Sequence, residues 1–312
     1  MPYVETEEQR MLRKQVREIG RKYGRDYYNE KARNGESPEE LWREVAEHGF
    51  IGVNTPEEYG GGGLGISELA IVCEELAAVG CPLLLLLVSP AICATVIAKF
   101  GTPAQKERWL PGLASGTLTM AFAITEPNAG SNSHRLETAA RQDGDDWVLT
   151  GSKYYISGAD TADAILVVAR TGGADDGRGR LSLFIVDADA PGLEKTLIKM
   201  QVPGADRQFT LFFDNVRVGE ERLLGHEGQG LPQVFVGLNP ERILGAALAT
   251  GAALQALEQA ASYANERAVW GKPIGTHQGI AHPLAQAKIE VELARLMTAK
   301  AAWMFDQGLD AG

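Results

Sequence analysis

Cysteine is scarce in this chain and forms no metal or disulfide pattern. Cys73, Cys81 and Cys93 are an odd number within a 21-residue stretch and include no C-x-x-C pair. That excludes a disulfide framework and a zinc site and points to a reducing interior. Positive charge is also in deficit, with 30 basic against 41 acidic residues and a net charge of −11. Such a balance repels a nucleic-acid backbone and an anionic membrane, so a phosphate-bearing ligand must be held by local groups. No apolar run reaches the roughly 20 residues that span a bilayer. The longest, Pro82 to Ala98, is broken by Ser89 and Pro90 and reads as helices buried in a bundle. The N-terminus is acidic from Glu5 and lacks the basic and apolar regions of a signal peptide, which predicts a cytoplasmic protein. P-loop, H-E-x-x-H, G-x-S-x-G and EF-hand patterns are all missing, which removes several hydrolase and metal classes, and no metal ligand set is assigned.

What is present is ordinary globular composition: 312 residues, 45% hydrophobic and 23% charged. That length exceeds the size at which a single core stops growing, so two or three packed units are expected. Thr6-Glu7-Glu8-Gln9, Ser37-Pro38-Glu39-Glu40 and Thr102-Pro103-Ala104-Gln105 fit the capping box and mark three helix starts. Gly49, Gly101 and Gly116 follow apolar-periodic stretches as C-terminal stops. Residues 1–117 thus read as a helical domain. From Leu118 short runs rich in β-branched and aromatic residues take over: Trp147 to Thr150, Lys153 to Ser157, Ala164 to Val168, Leu181 to Val186 and Phe209 to Phe213. Gly- and Asp-rich clusters, including Thr171 to Gly179, punctuate them, which predicts an antiparallel β domain over 118–229. The remainder, 230–312, is Ala-, Leu- and Glu-rich and reads as two long helices, Leu231 to Ala268 and Gly279 to Gln307. Pro240 is expected to kink the first or restart it from Asn239.

Gly60 to Gly65 matches G-x-G-x-x-G by letter, but Pro56-Glu57-Glu58-Tyr59 precedes it where a dinucleotide fingerprint needs a strand. It reads as a flexible connector. Phe122-Ala123-Ile124-Thr125-Glu126-Pro127-Asn128-Ala129-Gly130-Ser131 ends a short strand with a hydroxyl, turns at a proline and then presents Gly-Ser. This is either a plain β-turn or a loop offering N–H groups and a hydroxyl to an anionic or heteroaromatic ligand. Its companion, Gly151-Ser152-Lys153-Tyr154-Tyr155-Ile156-Ser157, sets an aromatic two residues before a hydroxyl, giving a stacking face and a hydrogen bond on one strand face.

With Glu266-Arg267-Ala268-Val269-Trp270-Gly271-Lys272 and His277-Gln278 following in order, the chain resembles the acyl-CoA dehydrogenase family over almost its whole length. The resemblance implies an α+β multidomain fold: a helical N-terminal domain, a β-barrel-like middle domain and a C-terminal helical bundle, incomplete here. It implies FAD as cofactor, with Phe122, Ile124, Thr125, Gly130 and Ser131 lining the isoalloxazine and pyrophosphate and Ser131 also near the substrate. Tyr155, Ile156 and Ser157 would cover the other side of the ring; Tyr155 stands where many relatives carry Trp. From a neighbouring subunit of a homo-oligomer, a dimer or tetramer, Arg267 would meet the pyrophosphate, with Trp270, His277 and Gln278 near the ADP portion. Read without the family pattern, Arg267 is rather a solvated helix-end cation, Trp270 and Tyr155 are plain core aromatics and His277 is a loop histidine.

The activity implied is α,β-dehydrogenation of an acyl-CoA thioester, with an electron-transfer flavoprotein as acceptor. Most relatives hold the catalytic Glu in a loop near the C-terminus; isovaleryl and long-chain types hold it on a helix at the position matching Glu241. The chain is expected to stop before that loop, so Glu241 is the candidate base, with Asn239 and Arg242 beside the CoA end of the channel. Asn239 replaces an acidic residue of some relatives, and a solvated Glu-Arg pair is the competing reading. The alternatives to this activity are a flavin monooxygenase or oxidase of the same fold and a non-catalytic subunit of a hetero-oligomer.

Overall fold

The computed structural model describes residues 5–172, 180–201 and 204–311. Most of the cluster at Thr171 to Gly179, and the first residues of the acidic N-terminus, lie outside the described residues. Among the described residues the α-helical elements are, in chain order, α1 (Glu7–Asn34, interrupted at Gly24 with a φ of 72°), α2 (Glu39–Glu47), α3 (Ile66–Ala78), α4 (Leu85–Val88), α5 (Thr95–Phe100), α6 (Pro103–Ala114), α7 (Gly230–Glu266) and α8 (Gln278–Asp306). A π-helical turn, Ser89–Ala94, joins α4 to α5. Two of the three capping boxes close. Thr6 Oγ1 accepts from Gln9 N at 3.2 Å while Gln9 Oε1 accepts from Thr6 N at 3.0 Å, and Thr102 and Gln105 repeat the pair at the start of α6. The box at Ser37 does not form: α2 starts one residue late, placing Pro38 at the cap, and a proline side chain has no acceptor to offer.

Contacts divide the chain into two compact units. The first comprises Met1–Tyr28, Gly65–Leu83 and Arg242–Gly312 and is helical. Here α3 borrows its cap from far along the chain, for Asp306 accepts from Ile66 N at 2.7 Å and Ser67 N at 3.0 Å. Glu74 and Glu75, both buried on α3, are paired: Arg13 and Arg295 bind Glu74 at 2.6 and 2.8 Å, and Arg17 binds Glu75 at 2.6 Å.

The second unit, Asn29–Leu64 and Leu84–Glu241, contains the sheet. Its strands are β1 (Met120–Ala123), β2 (Ala139–Asp143), β3 (Asp146–Ser157), β4 (Ala164–Gly172), β5 (Arg180–Asp187), β6 (Leu193–Ile198), β7 (Gln208–Gly219) and β8 (Leu223–Leu224). The order is β6-β7-β3-β2-β4-β5-β8, with β1 added beside β4. Pairing is antiparallel except for β1 and one residue of β2, which run parallel to β4. The expected runs 147–150 and 153–157 are one strand, β3, and β6 escaped the sequence reading because its polar residues face solvent. β4 is buried on both faces: Leu166 and Val168 enter one core with Ile92, Trp109 and Val234, while Ile165 and Val167 enter another with Trp147 and Phe184. A strand covered twice reads as an unbroken apolar run, which is why Ala164 to Val168 was legible.

The glycine-rich segment from Gly60 to Gly65 forms no nucleotide fold, but the connector is pinned: Gly62, Gly63 and Leu64 donate backbone N–H to Gly52, Thr55 and Val53. The apolar run around Ser89 is buried as expected, and no described helix is long and apolar enough to cross a membrane. Helix α7 runs through Pro240 without the restart expected at Asn239. Buried Val234 before the proline and buried Ile243 and Leu244 after it hold the helical phase, outweighing the ~3 kcal/mol that an internal proline costs.

Candidate cofactor site

The site begins at an edge that the sheet leaves open. β1 pairs with β4 on one side only, Phe122 opposite Leu166. Ser89 Oγ accepts from Met120 N at 3.1 Å, and Cys93 Sγ donates to Ala121 O at 3.7 Å. The π-helical turn thus packs against β1. Beyond β1 the chain leaves the sheet through Ile124 and Thr125, and Glu126 and Ala129 close a turn by exchanging backbone hydrogen bonds of 3.0 and 3.1 Å. The predicted β-turn is therefore present, and it exposes Gly130 and Ser131. A Cβ at Gly130 would meet no atom within 4 Å. Among the described residues the hydroxyls of Thr125 and Ser131 make no hydrogen bond, so both are available to a ligand.

The companion motif arrives on β3, where Tyr154 N donates to Thr125 O at 2.8 Å. Pairing with β7 slips between Lys153 and Ile156, so a bulge falls on Tyr154 and Tyr155. Tyr155 takes a φ of 58°, and its side chain is turned out of the sheet, 50% exposed, with its ring 4.2 Å from that of Tyr154. A left-handed conformation costs an L-residue roughly 1–2 kcal/mol, and strain of this kind concentrates at ligand sites. Ile156 turns back into the core, and Ser157 Oγ donates to Gln208 Oε1 at 2.9 Å.

Between the two motifs lies an ion pair that the sequence reading did not single out. Lys153 is fully buried; its Nζ donates to Glu126 Oε1 at 2.8 Å and to Ile124 O at 3.0 Å. The Glu126 carboxylate also accepts from Glu137 N at 2.6 Å and Thr138 N at 3.0 Å. Burial pushes the Lys153 ammonium down to about 8, against the pull of Glu126. Burial also opposes ionisation of Glu126, but Lys153 and the two backbone donors outweigh it and hold the carboxyl below its usual range. Nothing in the local sequence separates these two charges from solvated ones, because their burial depends on strands remote in the chain.

Helix α7 brings the predicted base into the same unit. Gly237 lies so close to the segment 92–96 that a Cβ there would sit 2.8 Å from Val96 Cγ2 and 3.0 Å from Ile92 O. Leu231 and Leu238 of α7 pack on the same core cluster as Phe122 and Ile124. Asn239 and Glu241 are half-buried; Arg242 is exposed and begins the next segment of the helical unit.

Arg267, Trp270, His277 and Gln278 belong to the helical unit and are all exposed. A two-residue ladder, β9 (Ala268–Val269) against β10 (Lys272–Pro273), folds the segment back, and Ile274 N donates to Arg267 O at 2.8 Å. Trp270 stands 89% exposed at a φ of 54°, its ring edge-on to His277 at 6.1 Å. This excludes the reading of Trp270 as a core aromatic. Of the three non-glycine residues with positive φ among those described, Tyr155 and Trp270 are the two aromatics assigned to the cofactor.

The chain matches the family models for the acyl-CoA dehydrogenase N-terminal domain over residues 6–117, the middle domain over 121–216 and the C-terminal domain over 228–312. It is 56% identical over 310 residues to the acyl-CoA dehydrogenase FadE12 of Mycobacterium tuberculosis H37Rv, covering 99% of this chain and 80% of that protein. Among solved structures it resembles a glutaryl-coenzyme A dehydrogenase in complex with glutaryl-CoA, at 36% identity and a TM-score of 0.92, over 97% of this chain and 78% of that one. It also resembles a glutaryl-CoA dehydrogenase from Mycobacterium smegmatis in complex with FADH2, at 28% identity and a TM-score of 0.90, over 98% and 78% of the two chains.

Proposed function

The chain belongs to the acyl-CoA dehydrogenase family, and from that premise we propose that it removes the α- and β-hydrogens of an acyl-CoA thioester, using Glu241 as base. The family is FAD-dependent, and the residues present fit that cofactor. Tyr155 offers an exposed ring at a strained bulge, Thr125 and Ser131 offer unspent hydroxyls, and Gly130 leaves open space beside them. Phe122, Ile124, Thr125, Gly130 and Ser131 would line the FAD from one motif and Tyr155 and Ser157 from the other, with Ile156, whose side chain is in the core, contributing through its backbone. When bound, FAD supplies two-electron acceptance.

Glu241 takes the α-proton on a carboxylate oxygen as the β-hydrogen leaves with its electron pair, which the bound FAD would accept, and the thioester becomes the α,β-enoyl thioester. Ser131 touches the substrate, and Asn239 and Arg242 face its CoA end. Arg267, Trp270, His277 and Gln278 reach the cofactor of a neighbouring subunit in a homotetramer, a role that suits their exposure in a single chain. The three segments 1–117, 118–229 and 230–312 act as the helical, β and helical domains. An electron-transfer flavoprotein would take up the electrons, and the work belongs to fatty-acid or lipid metabolism in the cytoplasm.

The observation that carries this reading is the bond from Tyr154 N to Thr125 O, which joins the two flavin motifs within one unit that also holds Glu241. The test is Glu241→Gln. It should retain FAD and lose reduction by acyl-CoA by at least about 100-fold, the scale of a lost general base. Undiminished reduction removes Glu241 from the role, and oxygen consumption without acyl-CoA points instead to an oxidase or monooxygenase.

A further inference from the structure

A fully buried lysine is expensive, and replacing a buried ion pair by apolar side chains is often neutral or stabilising. Lys153 therefore invites a reason other than stability. Its geometry supplies one. The ammonium bridges two groups on the strand exit, the carbonyl of Ile124 and the carboxylate of Glu126, while the next amide of β3, Tyr154 N, holds the carbonyl of Thr125 between them. Three consecutive residues of one flavin motif are thus gripped by two consecutive residues of the other. The far side is anchored as well, because Glu126 takes the amides of Glu137 and Thr138, and Thr138 Oγ1 donates to Ser152 O at 3.1 Å. The bulge that begins after Lys153 is what throws Tyr155 out of the sheet.

We propose that Lys153 is a positioning residue for the flavin: through Ile124 and Glu126 it sets the orientation of the Thr125 hydroxyl relative to the Tyr155 ring, and it is retained for that geometry rather than for folding. Glu126 is its obligatory partner. The inference rests on the reading of residues 122–131 and 155–157 as the FAD site.

The test compares wild type, Lys153→Met and Lys153→Met/Glu126→Gln, with three readouts: melting temperature, FAD dissociation constant, and the visible absorption and circular-dichroism bands of flavin at saturating FAD. Lys153→Met strands a buried carboxylate and lowers the melting temperature. In the double variant the stranded charge is gone, but Glu137 N and Thr138 N bind different oxygens of Glu126 and the amide that replaces the carboxylate can accept from only one of them, so the melting temperature should recover only part of the loss. FAD should nevertheless bind at least about tenfold more weakly than to wild type, with altered flavin bands. A double variant that regains wild-type affinity and spectrum overturns the proposal and makes the pair purely structural. If its stability does not recover, the spectrum at saturation decides: changed bands support positioning, unchanged bands contradict it. A wild-type protein that binds no FAD overturns the reading of the site and this proposal with it.

Discussion

The amide of Tyr154 donates to the carbonyl of Thr125 at 2.8 Å, where β3 breaks step with β7. The bond ties the bulge to a hydroxyl-bearing turn, and Tyr155, next in the chain, carries the strain. Tyr155→Gly should leave stability unchanged or raise it by up to about 1 kcal/mol, because glycine adopts positive φ without penalty. FAD affinity should fall about tenfold, the scale of a lost stacking contact. Tyr155→Trp should stay within about threefold of wild type. Thermal melts beside FAD titrations check both, and a loss of more than about 2 kcal/mol in the glycine variant would make the ring a structural element.

Arg267 is exposed in the single chain, and its carbonyl rather than its side chain is tied into the β9–β10 turn. Arg267→Ala should therefore leave the melting temperature of the apoprotein within about 2 °C. If the guanidinium serves a neighbouring subunit's cofactor, the same variant loses FAD about tenfold more readily, a value typical of a charge-assisted contact to phosphate. Gel filtration of the apoprotein and FAD-loaded forms separates this from a change in assembly.

Asp206 accepts a hydrogen bond from Leu84 N at 3.1 Å, and burial, with repulsion from Asp160, outweighs that bond and lifts its carboxyl to about 6. A carboxyl raised above its unfolded value of ~3.9 binds its proton more tightly in the folded state. Its contribution to stability is fully present below about pH 4 and is lost as pH rises through about 6. Asp206→Asn keeps an acceptor for Leu84 and removes the titration. Relative to wild type it should gain about 1–2 kcal/mol between pH 4 and pH 7, by urea melts at each pH. Parallel curves for the two proteins would refute the assignment.

Thr102 and Ser37 open sequence patterns of one kind but end differently. Thr102→Ala removes a working cap and should cost about 1 kcal/mol, whereas Ser37→Ala should stay within about 0.5 kcal/mol because Pro38 occupies the cap of α2. Equal losses would mean that Ser37 caps α2 after all.

The contrast also marks what the sequence could reveal. Local chemistry was legible: the Thr6 and Thr102 boxes, the doubly buried β4 and the turn after Thr125 are each written in a few adjacent residues. Features made by remote contacts were not. Asp306 caps α3 from 240 positions away, α7 continues helical past Pro240, and Lys153 and Glu126 look like any surface pair until folding buries them. The outward turn of Tyr155 and Trp270 was equally hidden, since a positive φ at an aromatic follows from the bulge or turn around it and not from the residue itself.

Purified protein examined by visible absorption, before and after anaerobic addition of a panel of acyl-CoA thioesters, joins cofactor, substrate class and chemistry in one observation. A yellow protein whose flavin band bleaches with at least one acyl-CoA, and recovers on adding an electron acceptor, is the expected result. A protein that stays colourless with added FAD, or a yellow one that no acyl-CoA bleaches, contradicts it.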